Sequence, residues 1–288
     1  MARKLKIALI SLAIVIVLFA LAGRIGSWLW NKATVRTVAD LHRSMTPGGA
    51  AQVFTGEELA GLPAPVARYL SHVLREGQPF IRSARIVQEG ELRLQRAAIR
   101  SSPVTAEQEF TVPPPGFVWD ARVRMLPILS ARIRDTYLAG RPSMRGKLFG
   151  LISIVNASGT TELAQGALQR YLSEMVWFPT ALLPGRGVTW TAIDDRRALA
   201  TLTDSGTSVS LEFRFNDRDE VAEVFTSGRW REVEGQYLLT AWGGRHSNYE
   251  EREGVRIPTE FAVVWHLKEG DFEWLRGRIT AVSYQFEP

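Results

Sequence analysis

The side chains best suited to metal binding or proton transfer are four histidines, His42, His72, His246 and His266, and they lie far apart in the sequence. None falls in His-Glu-x-x-His or another metal-ligand spacing, so no metal site is expected. The chain has no cysteine, which removes disulfides, thiolate ligands, a cysteine nucleophile and a lipid-modified cysteine. No Gly-x-Ser-x-Gly elbow, phosphate-binding loop or Gly-x-Gly-x-x-Gly fingerprint occurs, so hydrolase and nucleotide readings lack a motif and no cofactor is expected.

Carboxylates offer more. Asp194-Asp195 and Asp217-Arg-Asp219 fall between strand-like runs, where aspartates serve turns. Asp120 stands between Trp119 and Arg122, and Asp135 sits beside Arg134 and close to Tyr137. Asp135 shares an alternating face with Leu129, Ala131 and Ile133, which predicts that it points inward. An inward carboxylate needs a cation, and Arg122, Arg145 or Arg170 could supply it. The competing readings of Asp135 are a structural ion pair and a ligand-anchoring or catalytic group.

Aromatic residues give the stronger indication of a binding site. Trp119, Trp177, Phe178, Phe213, Phe261 and Trp265 are predicted to take inward or rim positions, with Trp190 beside them, and Val123, Tyr171 and Leu211 share their faces. They fill a core, or they line a pocket for an acyl chain. The second would leave no polar motif, because each buried methylene contributes about 0.8 kcal/mol without one.

These residues need a sheet to hold them. From residue 81 onward the apolar period is two for most of the chain. In residues 207–215, Val209, Leu211, Phe213 and Phe215 alternate with Ser208, Ser210, Glu212 and Arg214, and residues 255–267 and 117–125 repeat the pattern. Further strands are expected near 81–95, 104–112, 129–138, 143–155, 188–193, 197–203, 220–227, 236–242, 245–252 and 275–286, separated by Gly, Pro, Asn and Asp clusters. So many short-looped strands must curl into an open or half barrel. One helix interrupts them at 161–178, where Leu163, Ala164, Ala167, Leu168, Tyr171, Leu172, Met175 and Val176 form a stripe and Pro179 ends the element. It must pack on the concave face or across its mouth, and residues 177–184, with two prolines, suit a lid or rim loop. Ahead of the sheet, Thr55 and Glu58 fit a capping box and residues 62–74 a short amphipathic helix.

The N-terminus is different in kind. Residues 7–23 are apolar and uncharged, at the lower limit for crossing a bilayer. Arg3, Lys4, Lys6, Arg24, Lys32 and Arg36 give residues 1–36 a charge of +6 against +5 for the whole chain, leaving the body near neutral at −1. A near-neutral body lacks the electrostatic footprint of a nucleic-acid binder. A basic start predicts a cytoplasmic N-terminus with the body on the other side. Ala20-Leu21-Ala22 also suits signal cleavage, but Arg24 follows at once, and Trp28 and Trp30 suit an interfacial belt, so a retained anchor over 1–30 is expected. Residues 31–55, with a turn at Pro47-Gly48-Gly49, read as a juxtamembrane linker, and 56–288 as one mainly β domain.

The strings LPAPVARYL (62–70), PPGFVWDARV (114–123), DTYLAGRPSMRG (135–146), RYLSEMVWFPTALLP (170–184), TLTDSGTSVSLEFRF (201–215) and REGVRIPTEFAVVW (252–265) resemble an uncharacterised family of bacterial proteins with one N-terminal span and a domain of unknown function. Strand-rich halves around a central helix, with Tyr249, Gly254, Val255, Ile257 and Pro258 entering a late strand, resemble the Lol-type open barrels that carry lipoproteins in the bacterial envelope. That resemblance implies acyl chains held in a concave sheet under helices. Three readings follow: a protein anchored in the bacterial cytoplasmic membrane that binds a lipid or other hydrophobic ligand without covalent chemistry; an envelope lipid- or glycan-acting enzyme using Asp120 or Asp135; or an interaction module with a filled barrel, its protein partner unknown.

Overall fold

A computed structural model describes residues 1–47, 52–97, 100–126 and 129–287. Helix α1 (Ala2–Arg43) opens the chain. A 3-10 turn (Gly56–Leu59) follows, closed by Glu58 accepting from the Thr55 amide at 2.6 Å as the capping box predicts. Helix α2 (Ala64–Val73) buries Val66, Tyr69, Leu70 and Val73. Six strands come next: β1 (Ile81–Leu92), β2 (Ser102–Thr111), β3 (Gly116–Leu126), β4 (Leu129–Leu138), β5 (Arg141–Leu148) and β6 (Ile152–Ser158). Helix α3 (Thr161–Glu174) separates them from β7 (Val188–Asp194), β8 (Arg197–Asp204), β9 (Thr207–Phe215), β10 (Val221–Val233), β11 (Gln236–Arg252), β12 (Val255–Leu267) and β13 (Gly270–Phe286).

These strands form one antiparallel sheet in the order β6-β5-β4-β3-β2-β1-β13-β12-β11-β10-β9-β8-β7. The last strand pairs with the first of the sheet, Ile86 opposite Val282, so the two halves of the chain join along a central seam. The ends, β6 and β7, stay unpaired with each other, so the barrel is open. It curls far enough for Tyr137 on β4 to donate to Asp204 at the end of β8 at 2.7 Å. Beside them, a Cβ on Gly140 would lie 2.3 Å from Ser205 Cβ, so the β4–β5 turn abuts the β8–β9 turn.

The alternation in β9 is observed as read, with Val209, Leu211, Phe213 and Phe215 buried and their neighbours at or near the surface. Several boundaries differ, β10 running on to Val233 and β13 starting at Gly270 among them. The stretch 143–155 is two strands, because Phe149 and Gly150 take left-handed φ values of 53° and 71° and turn the chain between β5 and β6. Residues 236–252 are one long strand rather than two. The α-helix over 161–178 stops at Glu174 and tightens into 3-10 turns at Met175–Trp177 and Pro179–Leu182.

Helix α3 starts where the Thr160 hydroxyl accepts from the Leu163 amide at 3.2 Å. It lies on the concave face against β9 and β10, touching β4, β5 and β8. Residues 177–184 are not a rim loop: Trp177, Phe178, Ala181, Leu182 and Leu183 are wholly buried. They pack round Phe110, whose ring centroid is 4.7 Å from that of Phe178 and 6.4 Å from that of Trp177. The prolines there shape a plug that fills one part of the concave face.

The linker reading of 31–55 also changes. Helix α1 continues unbroken to Arg43 and lies along the outer face of β2, β3 and β4. Trp30 is no belt residue, being 4% exposed. Its indole donates to Asp120 at 3.0 Å, Thr34 donates to the same carboxylate at 2.7 Å, and the Arg134 guanidinium stacks 4.5 Å over the indole. The turn expected at Pro47-Gly48-Gly49 lies, from Gly48 on, outside the described residues.

Candidate functional site

The register builds two cross-strand rows on the concave face. Gln108 opposes Trp119, Trp119 opposes Asp135, and Asp135 opposes Met144 across β2 to β5. Trp242 opposes Trp265, and Trp265 opposes Phe272, across β11 to β13. Directly opposed residues share one face of a sheet, so each row is a continuous strip of side chains. Between the strips lies a cavity of about 420 Å³. Its walls include Trp119, Ile133, Trp177, Trp242, Phe261, Val263, Trp265 and Trp274, and its border includes Leu92, Leu94, Arg231, Glu232 and Phe272. The volume and the aromatic wall suit one small or slender apolar ligand.

Arg170 of α3 organises the floor. Its Nη1 donates to Asp135 at 2.9 Å and its Nε to Glu174 at 3.0 Å. Its guanidinium lies 4.7 Å over the Trp119 ring. Gln108 donates to Glu174 at 2.8 Å and accepts from Gln88 at 3.2 Å, and Trp119 donates to Gln88 at 2.9 Å. Burial raises the Asp135 carboxyl, opposed by Arg170, and raises Glu174 for the same reason against the same partner. Arg229, from β10, donates to the Gly166 carbonyl at 2.6 Å and stacks 4.4 Å over Trp242, and burial pulls it down to about 10. Two carboxylates and two guanidiniums thus neutralise one another below the aromatic wall.

Several donors around this cavity have no partner among the described residues. Trp177, Trp242 and Trp274 each leave the indole N–H unpaired, as does the Nε of Arg231, and neither ring nitrogen of His246 is bonded. Burial pushes His246 down to about 4, so it is neutral at neutral pH. Buried polar atoms in folded proteins are nearly always paired, so five residues with unmet atoms around one space set this region apart from the packed core.

Of the residues the sequence singles out, Trp119, Asp135, Trp177, Phe261 and Trp265 meet at this cavity. Val123, Tyr171, Phe178, Leu211 and Phe213 do not; they belong to the packed core. Tyr171 donates to the Thr111 carbonyl at 2.8 Å, and Phe213 packs on Trp190 with ring centroids 5.0 Å apart. Asp120 lies on the outer face, bound by α1 and by Arg132 at 2.9 Å, so it shares no site with Asp135. Sequence reasoning passes over Trp242, Trp274, Arg229 and Arg231, and names His246 only among histidines without a metal spacing. Only the pairing of Trp242 with Trp265 could have revealed the first, and pairing is a property of the register.

No curated protein matches the chain. Among solved structures it is similar to a LolA superfamily protein from Nitrosomonas europaea, at 10% identity and a TM-score of 0.39, covering 79% of this chain and 96% of that one. It is also similar to a beta-barrel-like protein with the domain of unknown function DUF1849 from Brucella abortus, at 10% identity and a TM-score of 0.24, covering 72% of this chain and 100% of that one. The open antiparallel architecture stands on the strand order itself. Residues 60–284 match the model of a family of unknown function, DUF6920, and the chain belongs to that family.

Proposed function

We propose that the protein is a membrane-anchored binding protein for an amphiphile, whose apolar chain lies in the concave cavity and whose anionic or acceptor end meets Arg231. The observation that carries this reading is the combination of an aromatic cavity with unpaired donors around it. Arg231 stacks 5.8 Å over Trp265 at the border of the cavity. It has no carboxylate within ion-pair distance among the described residues. Below it, Asp135 is already taken by Arg170, which favours a structural role for that carboxylate over proton transfer.

The anchor in this reading is the apolar start of α1, and its basic N-terminus supports a body on the outer side of the bacterial cytoplasmic membrane. Domain limits follow the same reading: an apolar anchor, a docked helical strut up to Arg43, and a single β domain beyond residue 55. Native mass spectrometry of the full chain, released from detergent, tests it. Wild type should retain one lipid-sized mass, and Val263→Phe, which enlarges a side chain that shares the inward face with Phe261 and Trp265, should lose it. Equal lipid retention by both proteins would contradict the reading.

A further inference from the structure

The end of the sheet nearest the anchor has an unusual surface. Beyond the C-terminal end of α1, twelve large apolar side chains are well exposed among the described residues, and six of them, Leu94, Met125, Leu126, Leu151, Ile152 and Ile154, lie at or beside three successive turns. Those turns are β1–β2, β3–β4 and β5–β6. The strands between them are contiguous and antiparallel, so all three turns leave the sheet at the same end.

Helix α1 reaches that end too. Its Leu41 packs over Gly116 at the start of β3, and its Trp30 meets Asp120 further along the strand. By Gly26 it touches the β5–β6 turn, where a Cβ on Gly150 would lie 2.6 Å from the Gly26 carbonyl carbon. The contact continues into the apolar run, with Phe19 edge-on to Phe149 at 4.9 Å. Phe19 precedes the end of that run at Gly23 by four residues, roughly 6 Å of helix at 1.5 Å per residue. A helix whose apolar run crosses a bilayer therefore carries the β5–β6 turn down to the lipid surface. The side chains of residues 7–21 are exposed, Phe19 included beside its contact with Phe149, so lipid is the solvent that fits both them and the turn.

We infer that the exposed side chains Leu94, Met125, Leu126, Leu151, Ile152 and Ile154 form a rim that rests in the surface of the same bilayer, and that this rim sets the cavity border at Leu92 and Leu94 against the lipid. A ligand then enters from the lipid phase without crossing water. The inference rests on the two readings above, of α1 as a membrane span and of the cavity as a chain-binding site.

The absence of cysteine makes a clean test possible in the full chain. Single variants Leu94→Cys, Leu126→Cys and Leu151→Cys carry an environment-sensitive fluorophore, with Val15→Cys as the marker of the span. Arg43→Cys, at the far end of α1 and exposed, is the water-side control. The protein is reconstituted in vesicles of phosphatidylethanolamine and phosphatidylglycerol containing nitroxide-labelled acyl chains. Quenching at 94, 126 and 151 should be severalfold that at 43 and should approach that at 15. Quenching at 151 alone, with 94 and 126 like 43, would overturn the rim and the lipid-side mouth while leaving the anchor intact. No quenching at 15 would overturn the span itself, and the rim with it.

Discussion

Arg170 Nη1 lies 2.9 Å from Asp135 Oδ2, tying helix α3 to strand β4 beneath the aromatic wall. The same guanidinium holds Glu174 one turn further along its own helix. Replacing it leaves two carboxylates in a low-polarity space with Arg229 as the remaining cation. Arg170→Met should cost about 3–5 kcal/mol at neutral pH, as removal of one partner from a buried pair does. The deficit should shrink as pH falls, because both carboxyls are already raised and take up protons first. Urea unfolding in detergent, followed by tryptophan fluorescence, reads both quantities.

The contact of Trp30 and Thr34 with Asp120 makes the end of α1 a strut and not a tether. Asp120→Ala removes the acceptor from both donors and from Arg132, and should cost about 3 kcal/mol on the same grounds. Limited trypsin digestion provides a second reading. Cleavage after Lys32 and Arg36 should be slow in wild type and fast in the variant; equal rates would mean that α1 is not held by this carboxylate.

His246 should give the fold a pH dependence of known sign. Its folded pKa is pushed down to about 4 by burial, below the 6.5 of an exposed histidine. Between those values the unfolded chain binds the extra proton, so stability is complete above about 6.5 and is lost as pH falls toward 4. At about 1.4 kcal/mol per pH unit over about 2.5 pH units the loss is at most about 3–4 kcal/mol. Subtracting the unfolding free energies of His246→Phe from those of wild type across this window should isolate it. A difference curve that stays flat would show that the ring is not buried neutral.

Arg231 at the cavity border should discriminate among ligands. Arg231→Gln should weaken binding of a fatty acid or anionic phospholipid by about 1.5–3 kcal/mol, the usual worth of a charged hydrogen bond, and should change a neutral amphiphile of the same chain length much less. Titration of the full chain in nanodiscs with both ligand types measures the difference.

What was legible in the sequence follows from how each feature is encoded. Alternation within a strand is local, so β9 and β4 could be read to the residue, and Asp135 could be placed inward. The stripe of α3 is equally local, and Arg170 lay on a helix already expected to cover the sheet. The pairing of Trp242 with Trp265, and the seam of β1 with β13, depend on register between distant segments, which periodicity does not specify. Trp30 is buried against Asp120 rather than at an interface, which local sequence does not decide because an indole beside an apolar run suits a membrane interface and a protein contact equally well. Residues 177–184 were misread for a similar reason: prolines break regular structure whether the segment is exposed or buried, and only packing around Phe110 decides between them.

The central claim is that an apolar chain occupies the space between the two aromatic rows. It is tested most directly by irradiating the full chain in nanodiscs that contain a phospholipid with a photoactivatable acyl chain, then locating the adducts by peptide mass spectrometry. Adducts on the strands bearing Trp119, Phe261 and Trp265, abolished in Val263→Phe, are the expected result. Adducts confined to residues 7–23 of α1 would show that lipid meets only the anchor, and would contradict the account.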